Sequence, residues 1–127
     1  MKEQTPQTRR GWGRKFADAF RGVLVGVRGQ SSFVVHLLAT AVVLGLAWWL
    51  EVSAVEWCLL ALCIAVVLSA ELFNSTLELL ARAITKEHDT NLRDALDVSA
   101  GAVLLVAIGS AVVGMILFVP HLWQRFF

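Results

Sequence analysis

Three stretches of this chain are apolar for long enough to cross a bilayer, and short polar segments separate them. Phe33 to Leu50 is uncharged and ends on Trp48 and Trp49, whose amphipathic rings favour the headgroup region. A short acidic connection, Glu51 to Glu56, leads into an apolar stretch from Trp57 through Ala70. That stretch continues helically through Glu71, Asn74 and Glu78 to about Leu80. Val98 to Val119 again runs without a charge, and Pro120, His121 and Trp123 close it. The pattern predicts spans over about 33–50, 57–80 and 98–119.

Ahead of the first span, Phe16, Phe20, Val23, Leu24 and Val27 recur at helical spacing, while Arg14, Lys15, Asp18, Arg21 and Arg28 fall mainly elsewhere. This predicts an amphipathic surface helix over 13–29, lying in the membrane interface. A soluble basic helix that binds nucleic acid is the weaker reading, because the adjoining spans tie the segment to a bilayer. Residues 1–12 are polar and basic with Pro6 among them, the composition of a flexible tail. Residues 82–97 hold Lys86, Glu87, His88, Asp89, Asn91, Arg93 and Asp94 and read as a cytoplasmic loop leading into a helix start, with Thr90 and Asn91 suited to a turn or helix cap. Residues 13–127 then form a single domain.

Composition agrees with the pattern. Of 127 residues 57% are apolar, more than a water-soluble core of this size could hide. The net charge of +1 conceals an asymmetry: Lys2, Arg9, Arg10, Arg14, Lys15, Arg21 and Arg28 all precede the first span. Basic flanks stay on the cytoplasmic side, so the N-terminus is expected inside and, after three crossings, the C-terminus outside. Arg82, Lys86 and Arg93 then also lie inside, and the external connection 51–56 has no basic residue. No small-residue cleavage site follows the first apolar run, which is expected to remain in the membrane. Cys58 and Cys63 are five residues apart, off a common face and poorly placed for a disulfide or metal clip; they read as small buried apolar residues.

Against this apolar background the second span carries acids. Glu71, Asn74 and Glu78 stand at i, i+3 and i+7, one face over two turns, with Ser75 beside them. A carboxylate at membrane depth costs about 2.5–3.5 kcal/mol on insertion scales, so it normally faces a partner, a cavity or a substrate. Interhelical hydrogen bonding is the alternative use, for which Asn74 alone would suffice. Glu71 and Glu78 lie about 10 Å apart along the axis, too far to clasp one ion unaided. With the orientation above, Glu78 is nearer the cytoplasm, where a nucleotide and Mg²⁺ would arrive. Glu71 is deeper, within reach of a lipid hydroxyl. That order suits phosphoryl transfer to a lipid.

The run Glu71-Leu72-Phe73-Asn74-Ser75-Thr76-Leu77-Glu78 resembles the signature of prokaryotic diacylglycerol and undecaprenol kinases: Glu, two residues, Asn, Ser or Thr, two residues, Glu. Phe16, Ala19, Phe20 and Gly22 are similar to that family's surface helix, Ser31-Ser32-Phe33 with His36-Leu37-Leu38 to its first span, and Asp97 through Leu105 to the start of its third. The resemblance covers nearly the whole chain from about residue 14. It implies an all-α integral membrane protein of the bacterial cytoplasmic (inner) membrane, assembled as a homotrimer with sites shared between subunits. It implies ATP as phosphoryl donor, Mg²⁺ as cofactor, and a lipid alcohol as acceptor, either diacylglycerol giving phosphatidic acid or undecaprenol giving undecaprenyl phosphate. Glu71 would be the general base, Asn74 would order the site, Glu78 would bind Mg²⁺ with ATP, and Glu87 and Asp97 would contact the nucleotide.

Three positions depart from the family. Gln30 stands where an acidic second metal ligand is usual and offers only a neutral amide oxygen. Leu96 replaces a Lys, with Arg93 one turn earlier as the candidate substitute for its charge. Arg82 reverses the charge of an Asp, at the expected cytoplasmic end of the second helix. His36 reads as a helix-packing partner rather than a metal ligand, and His88 as a loop residue that either lines the nucleotide site or is solvated. Gly101, Gly109 and Gly114 read as close-packing positions. No Walker-type loop occurs, so a nucleotide would be held by side chains and metal. The competing class is a noncatalytic helical assembly, a scaffold or small channel whose carboxylates serve packing or ion passage.

Overall fold

The computed structural model of the chain describes Arg9, residues 11–29 and residues 31–127. The tail expected over 1–12 therefore falls almost wholly outside the described residues, as does Gln30. The described residues form four helices: α1 (Trp12–Arg28), α2 (Ser31–Trp49), α3 (Ala54–Ile84) and α4 (Thr90–Phe126). The last three are long and apolar enough to cross a membrane. α3 packs most extensively on α4 and less on α2, while α1 rests on α3 and α2.

The α2–α3 turn is set by backbone chemistry. Glu51 adopts the left-handed conformation (φ 53°), which costs an L-residue about 1–2 kcal/mol. In return, the Val52 N–H reaches the Ala47 carbonyl and the Glu51 N–H that of Trp48, both at 3.3 Å, closing α2 in a Schellman arrangement. The apolar contact that accompanies such a cap is present, since Ala47 and Val52 are both buried in one cluster with Leu50, Leu60, Leu117 and Phe118. Ser53 then starts α3 with a capping box. Its hydroxyl accepts from the Glu56 N–H at 3.2 Å, and Glu56 Oε1 accepts from the Ser53 N–H at 3.1 Å. The other oxygen of Glu56 lies 2.9 Å from His121 Nε2, tying the start of α3 to the end of α4. Trp49 meets Phe126 and carries Arg125 over its ring at 4.6 Å, so this end of the bundle is aromatic.

The opposite end is polar, and here the sequence expectation needs correction. Residues 82–97, expected as a loop, are helical except over 85–89. Asp89 caps α4 by accepting from the Leu92 N–H at 3.0 Å, so Thr90 and Asn91 enter the first turn rather than cap it. α3 has 31 residues and α4 has 37. At 1.5 Å per residue these are about 46 and 55 Å long, against a hydrocarbon core of about 30 Å, so both helices overshoot a bilayer. Nor does Pro120 end α4, which continues to Phe126. Leu122 packs on the core cluster and His121 holds Glu56, contacts that keep the last turns helical despite the missing proline N–H.

Other packing expectations change as well. Cys58 is exposed and Cys63 only half-buried, so neither is the buried residue anticipated. A side chain added at Gly101 or Gly109 would meet nothing within 4 Å among the described residues, and one at Gly114 would touch only Phe118 of its own helix, so these glycines serve no close approach among the described residues. Gly26 does. A Cβ there would lie 2.5 Å from Leu72 Cδ2, at the point where α1 meets α3. Gly26→Val should lower stability by about 1–3 kcal/mol through overpacking. Thermal unfolding in detergent should show the loss, and adding Leu72→Ala should recover much of it.

Candidate active site

Within an otherwise apolar α3, Glu71, Asn74 and Ser75 are buried and Glu78 half-buried. The stripe expected along one face is thus present, and it is turned inward. Glu71 is the most enclosed of them, 2% exposed. A carboxylate so placed needs donors, and α2 supplies them. Ser32 Oγ donates to Glu71 Oε1 at 2.5 Å, and His36 Nε2 lies 3.5 Å from Oε2. Ser32 and His36 are one turn apart on α2, so together they face the two oxygens of one carboxylate.

Asn74 forms the second link. Its Nδ2 donates to Glu78 Oε1 at 3.1 Å and its Oδ1 accepts from Ser99 Oγ of α4 at 2.6 Å. The orientation of the amide is chemically determined, because an ionised carboxylate only accepts and must face the NH₂ group. Ser99 Oγ also lies 2.8 Å from the Leu96 carbonyl of its own helix. Glu78 Oε2 sits 3.7 Å from Arg82 Nη2, one turn on, in an exposed pair of little energetic weight. Ser75 Oγ is buried and makes no hydrogen bond among the described residues.

The structure therefore brings Glu71, Asn74 and Glu78 onto one line, cross-braced by α2 and α4. Glu87, Arg93 and Asp97 are all exposed. Arg93 pairs with its neighbour Asp94 at 3.6 Å, and the Glu87 N–H donates to Thr85 Oγ1 at 2.9 Å. His88 is exposed in the short 85–89 connection, and Gln30 lies outside the described residues. Among the described residues no three His, Cys, Asp or Glu side chains gather to hold a metal. The half-exposed Glu78 fits a different arrangement, the one or two carboxylates with which Mg²⁺ is bound when nucleotide phosphates and water complete its shell.

Ser32, His36 and Ser99 are the polar partners that sequence reasoning did not assign to the site. The available signal was the spacing of Ser32 and His36 on one face of an apolar helix. Which helix they would meet depends on packing. His36 is indeed a packing partner across helices, as expected, and its partner is the deepest acid.

Comparison with known proteins bears on the chemistry. The prokaryotic diacylglycerol kinase family matches this chain over residues 17–118. The undecaprenol kinase of Bacillus subtilis is 33% identical over 109 residues, covering 86% of this chain and 89% of the relative. A diacylglycerol kinase of Synechocystis sp. is 32% identical over 108 residues, covering 84% of this chain and 62% of that protein.

The Asn74–Ser99 contact should be energetically coupled. A double-mutant cycle of Asn74→Ala and Ser99→Ala, read by unfolding in detergent, should give an interaction energy of about 0.5–3 kcal/mol, whereas independent groups would give additive losses.

Proposed function

The chain belongs to the prokaryotic diacylglycerol kinase family of lipid kinases, and on that footing we propose that it moves the γ-phosphate of ATP onto the hydroxyl of a membrane lipid alcohol. The observation that carries this reading is the buried Glu71 carboxylate, braced by Ser32 and His36 of a second helix. Glu71 is the general base. It takes the proton of the lipid hydroxyl as that oxygen bonds to the γ-phosphorus, while the bond from γ-phosphorus to the bridging oxygen breaks and ADP leaves. Glu78 holds Mg²⁺, which when bound offsets charge on the phosphates. Asn74 orients Glu78 through its amide, itself fixed by Ser99. Arg82, Arg93, Glu87 and Asp97, all exposed, are available to the nucleotide. Arg82 and Arg93 supply the positive charge that Leu96 lacks.

The acceptor is diacylglycerol or undecaprenol, and relatives named for each match at nearly equal identity. Assembly as a homotrimer rests on the family resemblance, and in it a neighbouring subunit would wall the side of the site on which these four residues are exposed. The bilayer placement follows from charge. Arg82, Lys86 and Arg93 lie at the end of the bundle where α1 packs on Leu72, and that basic end faces the cytoplasm, with the C-terminus outside. α1 lies in the interface, its exposed Trp12, Phe16 and Phe20 in the lipid. The host membrane is the bacterial inner membrane.

Purified protein in detergent should phosphorylate diacylglycerol, undecaprenol or both when given Mg·ATP. Glu71→Gln should lower kcat by about 10²–10⁴-fold with nucleotide affinity little changed. Glu78→Ala should instead weaken Mg·ATP binding. A folded protein that phosphorylates neither lipid and binds no Mg·ATP would be a noncatalytic helical assembly.

A further inference from the structure

Glu71 is 2% exposed, with a hydroxyl bonded to one oxygen and an imidazole nitrogen 3.5 Å from the other, so a substrate hydroxyl reaches the carboxylate when one of these neighbours moves aside. The two are not equivalent. Ser32 is exposed, sits in the first turn of α2, and presents to Oε1 the same chemical group that a lipid alcohol would present. His36 lies one turn deeper, its side chain only 20% exposed, and it borders the largely apolar cleft between α2, α3 and α4. Thr40, the next polar residue along that face, already donates its hydroxyl to the His36 carbonyl at 2.8 Å.

We infer that Ser32 keeps the place of the acceptor hydroxyl on Glu71 Oε1, and that His36 is the positioning residue that holds Oε2 while Ser32 is displaced. The inference rests on the lipid-kinase reading above and deepens it. Exchanging one hydroxyl donor for another at Oε1 conserves the hydrogen bond, so the exchange is close to neutral in free energy. Losing both partners would leave a desolvated carboxylate without a donor, a far less favourable state. With its proton on Nε2, His36 faces Oε2 with a donor across 3.5 Å, a long contact of the kind that tightens when substrate binds. With Oε2 held, Oε1 stays aimed at the incoming hydroxyl, and misplacing such a group by about 1 Å can cost about 10²-fold in rate.

The test is steady-state turnover of detergent-solubilised diacylglycerol and undecaprenol by wild type, Ser32→Ala, His36→Leu and His36→Gln, with thermal unfolding of each. Ser32→Ala removes the group that competes with the acceptor hydroxyl for Oε1 and should lower KM for lipid by about threefold or more. His36→Leu fills the ring's volume without a donor and should lose about 10²-fold in kcat with KM nearly unchanged. His36→Gln restores an N–H and should recover at least a tenth of wild-type kcat. Wild-type kcat in His36→Leu, a folded but inactive His36→Gln, or a loss in Ser32→Ala as large as in His36→Leu overturns the inference. Wild-type protein that turns over neither lipid overturns the lipid-kinase reading instead, so the two failures are distinguishable.

Discussion

A carboxylate in the middle of an apolar helix is the constraint around which this molecule is arranged. Water cannot solvate Glu71, and lipid tails cannot either, so the groups that satisfy it must come from protein. Ser32 and His36 meet that need, and in doing so they determine how α2 lies against α3. Asn74 and Ser99 repeat the solution one turn along, this time between α3 and α4. Since helices in lipid gain no hydrophobic energy from meeting one another, polar braces of this kind and close steric fit specify the packing.

The two ends of the bundle divide the work. At one, a capped turn, a cluster of six buried apolar residues and the Glu56–His121 pair hold α2, α3 and α4 together. At the other, the helices are joined by side-chain contacts to acids, and charged turns of α3 and α4 reach past the thickness of a bilayer. The buried apolar cluster thus lies away from Glu71, Asn74 and Glu78.

Much of this was legible in the residues. Uncharged runs identify the three long helices because a bilayer demands length and apolarity, and both are local properties. The i, i+3, i+7 spacing placed Glu71, Asn74 and Glu78 on one face for the same reason. The true start of α4 was hidden, since a polar helix that extends beyond the membrane looks like a loop when hydropathy is the guide; the Asp89 cap was the signal. Pro120 misled in the opposite sense, because contacts distant in sequence keep α4 helical beyond it. The partners of Glu71 were the least readable. Ser32 is 39 positions away in sequence, and nothing local to either residue encodes their meeting.

The Schellman turn at Glu51 and Val52 has a mechanical consequence. It fixes the far end of α2 to α3, so any tilt of α2 turns about Trp49 and is largest near Ser32, within the slack that the packing of α1 on α3 and α2 allows. Over the 19 residues of α2 the arm is about 28 Å long, so a tilt of about two degrees carries the tip roughly 1 Å. Such a tilt would carry Ser32 and His36 together, so parting the Ser32 hydroxyl alone from Glu71 falls to rotation of its own side chain.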